Sequence, residues 1–179
     1  RHYGNSLYGS HYSVLDQINR DNVSQLERVW TYRSGDVPRE SDSPNAFAFQ
    51  ATPIEIDDRL YFCTPHPSVI ALNAETGAEI WRFDPQANAA GSDSAACRGV
   101  GYHARQGANG SCAHRIISIT ADARLYALDA DSGELCDEFG DAGFVHLTNG
   151  MGDVAPGEYF FPSPPTIAGE RILVGGAVA

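Results

Sequence analysis

The densest run of chemically capable side chains is Cys97-Arg98-Gly99-Val100-Gly101-Tyr102-His103. The guanidinium of Arg98 offers a planar fork of donors, which suits planar oxyanions and carbonyl oxygens. His66 follows Cys63-Thr64-Pro65. A lone histidine is more often structural than catalytic, so His66 and His103 are read first as structural. The acids, Asp93 among them, form no spaced pair of the kind a hydrolase needs.

The four cysteines are Cys63, Cys97, Cys112 and Cys136. Their wide, irregular spacing fits neither C-x-x-C nor a Cys/His zinc pattern. Three pairings are open. Cys97–Cys112, which would close a Gly-rich loop, is the expected one, against the alternative of four buried thiols. A disulfide implies an oxidising compartment such as the periplasm.

The composition is that of a folded chain: 42% of the 179 residues are hydrophobic and 20% charged. Asp and Glu number 23 against 12 basic residues, all of them Arg. An acidic, Lys-free surface argues against nucleic acid and against docking on anionic lipid through this segment. No apolar run approaches the roughly 20 residues that span a bilayer. Arg1-His2-Tyr3-Gly4-Asn5 opens into polar, domain-like sequence, with no signal-peptide pattern. The chain stops inside Ile172-Leu173-Val174-Gly175-Gly176-Ala177-Val178-Ala179, an apolar run whose strand edge would be open. Both ends are therefore read as cuts.

The elements that must position Arg98 follow from a repeat. Residues 71–81 read ALNAETGAEIW and residues 127–137 read ALDADSGELCD, 56 positions apart. Residues 52–62 and 164–174 are similar again at 112, twice that interval. Such a period marks a stacked architecture. Each unit reads as a four-stranded meander. In the first, Ala51–Ile56 alternates, Asp57-Asp58 turns, Arg59–Thr64 and Ser68–Asn73 follow, and a Glu75-Thr76-Gly77 turn leads into Glu79–Phe83. Ile70 and Leu72 point inward. Asn or Asp opens the turn and Gly accepts its positive φ. Trp81 is expected to pack between neighbouring sheets, and Trp30 ends an earlier strand in the same way. Asp137 stands where the frame expects the tryptophan. One helical turn is expected at Asp21–Leu26, capped by Asp21 or Asn22. Residues 85–113 read as a long irregular insertion.

The fold class is thus all-β, a partial β-propeller with about two and a half four-stranded blades. Residues 1–50 form a lead-in and the last strand (about Arg28–Arg33) of a neighbouring blade. Residues 51–84 form one blade, 85–140 a blade with a long loop, and 141–179 the start of the next.

The Trp-ending frame Ala71–Trp81 resembles the tryptophan-docking motif of pyrroloquinoline quinone (PQQ)-dependent quinoprotein dehydrogenases. Residues 12–32, Thr52-Pro53-Ile54 through Cys63-Thr64-Pro65-His66, Cys97–His103 and Ser163-Pro164-Pro165 resemble further segments of that family in order. The Cys-Thr-Pro-His and Cys-Arg-Gly-Val segments are similar to the membrane-bound glucose, quinate and shikimate dehydrogenase branch. The alcohol dehydrogenase branch has adjacent cysteines where Ala95-Ala96 lie here.

The resemblance implies an eight-bladed ring with PQQ near its axis and a calcium ion beside it. It implies oxidation of an alcohol, polyol or hydroxy-acid substrate, with electrons passed to a quinone or other acceptor. Arg98 matches the family arginine at the cofactor. Gln50 lies where many relatives place a cofactor-binding Glu, and keeps the hydrogen bonding without the charge. Ser94 occupies the place of a His in glucose-oxidising relatives, which weakens glucose as substrate. Ser163 neighbours Pro162, where relatives carry a cofactor-facing Thr. Ala177 and Val178 lie in the segment that passes under the cofactor, through backbone contacts. The catalytic base and the calcium ligands are expected in later blades, so no catalytic or metal-binding residue is assigned here, and the chain alone is expected to be inactive. A periplasmic location is implied, with any membrane attachment through other parts of the protein. The rival reading is a non-enzymatic propeller that binds protein partners in outer-membrane assembly.

Overall fold

The computed structural model describes residues 6, 8–40, 42, 47–88, 95–161 and 163–178. A 3₁₀ turn, Val23–Gln25, falls inside the expected helical turn. Asn22 holds its cap position, but its side chain reaches backward. Oδ1 accepts from the Asn19 N–H (2.9 Å) and Nδ2 donates to the Gln17 carbonyl (2.6 Å). It braces the preceding turn and caps nothing.

The first strand, β1 (Phe47–Phe49), belongs to a later pairing. The first four-stranded sheet is an antiparallel meander of β2 (Ile54–Ile56), β3 (Arg59–Cys63), β4 (Val69–Asn73) and β5 (Glu79–Phe83). Asp57 and Asp58 make the β2–β3 turn with φ of 47° and 62°. Two positive φ values give the turn whose twist matches a hairpin. In the β4–β5 turn Asn73 Oδ1 accepts from the Thr76 amide and hydroxyl, both at 2.8 Å.

β6 (Ala95–Cys97) pairs in parallel with β1. β7 (Gly101–Ala104), β8 (His114–Ile119), β9 (Arg124–Asp129) and β10 (Phe144–His146) form the second antiparallel sheet. Two strands, β6 and β7, therefore lie in the stretch expected to be irregular. Their shortness and glycines hide the alternation, and β1, the partner of β6, lies 48 positions away in register. β11 (Tyr159–Phe160) pairs with β14 (Ala177–Val178), and β12 (Thr166–Ala168) forms a hairpin with β13 (Arg171–Leu173). Residues 26–38 have no ladder partner.

Period-two alternation explains the packing, since successive strand residues face opposite sides of a sheet. Ile116, Tyr126 and Leu128 join Tyr61, Val69 and Trp81 in the core between the first two sheets. Their neighbours Ile117, Leu125 and Ala127 face the other way, toward Phe161, Ile167 and Ile172. Both faces of the second sheet are buried by a sheet, which is the stacking of propeller blades.

The repeat frame forms the joint between sheets. Gly77 and Gly133 take φ of 71° and 75°, and a Cβ on either would lie about 2.5–2.6 Å from the indole of Trp30 or Trp81. The Trp30 Nε1–H donates to the Ala74 carbonyl (3.2 Å) and the Trp81 Nε1–H to the Ala130 carbonyl (3.0 Å). Ala74 and Ala130 are equivalent positions, so each tryptophan docks on the turn of the next sheet. The Ala130 oxygen also accepts from Tyr61 Oη (3.1 Å) and Arg59 (3.3 Å). Asp137, in the equivalent of the tryptophan position, is exposed in a turn.

The disulfides are Cys63–Cys97 and Cys112–Cys136, each with Cα atoms 5.8 Å apart. The expected Cys97–Cys112 bond does not form. Cys97 precedes β7, while Cys112 follows it in the turn toward β8, so the strand holds them at opposite ends. A disulfide needs Cα atoms within about 7 Å.

Candidate functional site

The candidate site starts from the β1/β6 ribbon. Phe47 pairs with Ala95 and Phe49 with Cys97, so the next residue on each strand, Gln50 and Arg98, emerge together. Arg98 Nε donates to Gln50 Oε1 at 3.1 Å. The Thr52 N–H donates to the Arg98 carbonyl at 2.9 Å. On one side of Arg98, Cys97 is bonded to Cys63 at the end of β3. On the other, Gly99 leads to Val100, which is buried in the core. The backbone of Arg98 is thus held on both flanks while its guanidinium stays exposed. Among the described residues no acceptor meets its two terminal nitrogens.

A small cleft opens beside it. Cys97, Arg98, Gly99, Ile119, Phe161 and Ser163 are among the residues that line it. Arg98 and Ser163 therefore share one cleft. Gln50, Arg98 and Ser163 each lie three or four positions before the first strand of a sheet, at Ile54, Gly101 and Thr166. The starts of β7 and β12 come together, since a Cβ on Gly101 would lie 3.0 Å from the Pro165 carbonyl. Ala177 and Val178 sit in β14, opposite Phe160 and Tyr159, and Phe160 adjoins Phe161 of the cleft lining. Ser94 and Pro162 lie outside the described residues.

His103 points elsewhere. Its Nε2 lies 3.5 Å from Glu170 Oε1, in a groove with Arg105 and Arg115 between the second and third sheets. Among the described residues no group of His, Cys, Asp or Glu could hold a metal ion. The reading of the sequence missed Cys63 as the anchor of Arg98. The proximity of Cys63 and Cys97 depends on the sheet stacking, and nothing local announces it.

The family model for "PQQ: Glucose/ethanol/alcohol dehydrogenase, beta-propeller domain" matches residues 1–179. The chain belongs to this PQQ-dependent dehydrogenase propeller family. It is 39% identical to the quinoprotein glucose dehydrogenase of Escherichia coli (strain K12), over 98% of this chain and 23% of that protein. It is 36% identical to the quinate/shikimate dehydrogenase (quinone) of Acinetobacter baylyi, over 99% of this chain and 24% of that protein. The PQQ-family chain thus spans about a quarter of the length of these relatives. Among solved structures, the quinohemoprotein alcohol dehydrogenase of Pseudomonas putida HK5 superposes with a TM-score of 0.75 at 26% identity, covering 99% of this chain and 22% of that one. As in the family, the fold is a set of propeller blades.

Proposed function

We propose that the protein containing this chain is a PQQ-dependent dehydrogenase that oxidises a sugar, polyol or cyclic hydroxy acid and passes the electrons to a quinone acceptor. The observation that carries the reading is the Gln50–Arg98 pair, held beside a disulfide, with Arg98 and Ser163 lining one cleft. The donor set suits PQQ, a planar molecule with carboxylates and adjacent carbonyl oxygens. The outer edge of Arg98 is free for a bidentate oxyanion contact. Gln50 occupies Nε and so fixes the plane of the fork. Ser163 offers a hydroxyl across the cleft. Ser94, and the backbone of Ala177 and Val178, complete the proposed contacts.

PQQ, when bound, supplies the electron sink for the substrate C–H bond. The residues here bind and orient it. The carboxylate base, the calcium ligands and the remainder of an eight-bladed ring are assigned to the rest of the protein. Two disulfides fit a periplasmic setting. No helix among the described residues is long and apolar enough to cross a membrane, so membrane attachment, if present, is assigned to other parts of the protein.

The test is reconstitution of the intact protein with PQQ and calcium, followed by dye reduction with glucose, quinate, shikimate and glycerol. PQQ-dependent reduction with at least one of them is expected. Failure with all of them, together with no PQQ binding, overturns the reading and favours a scaffold.

A further inference from the structure

The imidazole of His66 is buried, 8% exposed, and both of its nitrogens face carboxylates. Nδ1 lies 2.5 Å from Asp36 Oδ1 and Nε2 3.1 Å from Asp42 Oδ1. The His66 backbone N–H also donates to Asp36 Oδ2 at 2.9 Å. The two carboxylates are themselves only 9% and 13% exposed. A neutral imidazole has one N–H and one lone pair, so it would turn a lone pair toward one of these carboxylates. Only the doubly protonated ring donates to both.

This cluster touches the ribbon that carries the candidate site. The ring of Phe47, at the start of β1, lies 5.4 Å from the His66 ring. Three residues on, Gln50 meets Arg98. The His66 loop is closed by Thr64, whose N–H donates to the Ser68 carbonyl and whose hydroxyl donates to the His66 carbonyl. Thr64 follows Cys63, the anchor of the β6 end. The ribbon is thus gripped twice from one hairpin, by His66 at the start of β1 and by the disulfide at the end of β6.

We propose that His66, clamped between Asp36 and Asp42, is a positioning residue for the Gln50–Arg98 pair. The inference rests on the reading of that pair as cofactor-binding. The clamp fastens Asp36 and Asp42 to the β3–β4 hairpin and seats the His66 ring against Phe47 of β1; without it the ribbon loosens. The groups facing His66 among the described residues are few. Asp36, Asp42 and Arg39 come from the preceding segment, where the Arg39 N–H donates to Asp42 Oδ2. Phe47 comes from β1. Tyr126 of β9 donates to the Pro67 carbonyl at 3.4 Å, and burial keeps that phenol neutral.

The experiment uses the intact protein with His66→Gln and Asp42→Asn variants. PQQ binding is followed by quenching of tryptophan fluorescence. Hydrogen exchange is followed in peptides covering residues 47–50 and 95–98. His66→Gln should bind PQQ about tenfold more weakly than the parent, a common size for coupling between two sites, with faster exchange in both peptides. Asp42→Asn removes one of the two carboxylates and should fall between the parent and His66→Gln in both readouts. A His66→Gln protein with parental affinity and parental exchange overturns the inference and leaves the functional reading standing. If the parent does not bind PQQ at all, the functional reading fails. The clamp is then judged by exchange alone, and unchanged exchange in His66→Gln overturns it.

Discussion

Arg98, proposed to bind the cofactor, and Asp129, which holds a turn, set a binding role against a folding one. Arg98→Lys keeps a charge but loses the fork and the Nε contact to Gln50. It should weaken PQQ binding by about 1.5–3 kcal/mol, the usual worth of hydrogen bonds to charged groups, as read by fluorescence titration of the intact protein. Asp129 is the opposite case, a structural carboxylate at the turn of the repeat. Burial pushes its carboxyl up, but the N–H groups of Cys112, Ser132 and Asp131, joined by the Ser132 hydroxyl, outweigh burial and hold it below the ordinary 3.8. A depressed folded-state pKa stabilises the protein above the ordinary carboxylate value, and that contribution is lost as pH falls through the lower folded value. Urea melts of Asp129→Asn should therefore show a protein that is less stable near neutrality and has a shallower acid limb than the parent. At this scale the sequence was legible in part. Arg98 stood in a recognisable run. Cys63 and the two partners of His66 did not, because each contact joins residues far apart along the chain and nothing local marks it.

Among the elements, the repeat frame was legible down to its turn. Asn73 and Asp129 open equivalent turns, Gly77 and Gly133 adopt the positive φ, and Trp81 packs between sheets as its place in the frame implied. Trp81→Ala should cost about 3–5 kcal/mol in a denaturant melt, as for other large buried aromatics. Gly133→Ala should cost about 2 kcal/mol or more, because the new Cβ meets both a left-handed backbone and the indole 2.6 Å away. The β1/β6 ribbon was not legible. Three residues are too few for a period, and parallel pairing has no connecting turn to mark it. Even so, this is the element that sets Gln50 beside Arg98. The Tyr32 phenol shows a similar long-range tie. Burial beside the Glu79 carboxylate pushes it up to about 12, and Arg82 donates to its oxygen at 2.7 Å. That network fastens residues 30–34, which have no ladder of their own, to β5.

For the molecule as a whole, the disulfides do more than close loops. Cys63–Cys97 links the first sheet to the ribbon just before Arg98, and Cys112–Cys136 stays with the second sheet. A Cys63→Ser/Cys97→Ser protein should lose about 2–4 kcal/mol of stability. It should also lose PQQ affinity, whereas Cys112→Ser/Cys136→Ser should lose mainly stability; paired melts and titrations separate the two. The open face of the first sheet carries an apolar groove of about 560 Å³ lined by Trp30, Tyr32, Phe49 and Leu60 among others. Such a groove fits the approach of a further blade in the intact protein.

The exposed Asp137 gives the stack one fastener fewer at its far side. Trp30 and Trp81 each plug a neighbouring turn, but from the second sheet onward no indole bridges the gap. Among the described residues the seam toward the third sheet relies on side-chain packing and the His103–Glu170 contact, so on warming it should part first. Amides of β12 and β13 should then trade protons for deuterons before those of β3, β4, β8 and β9.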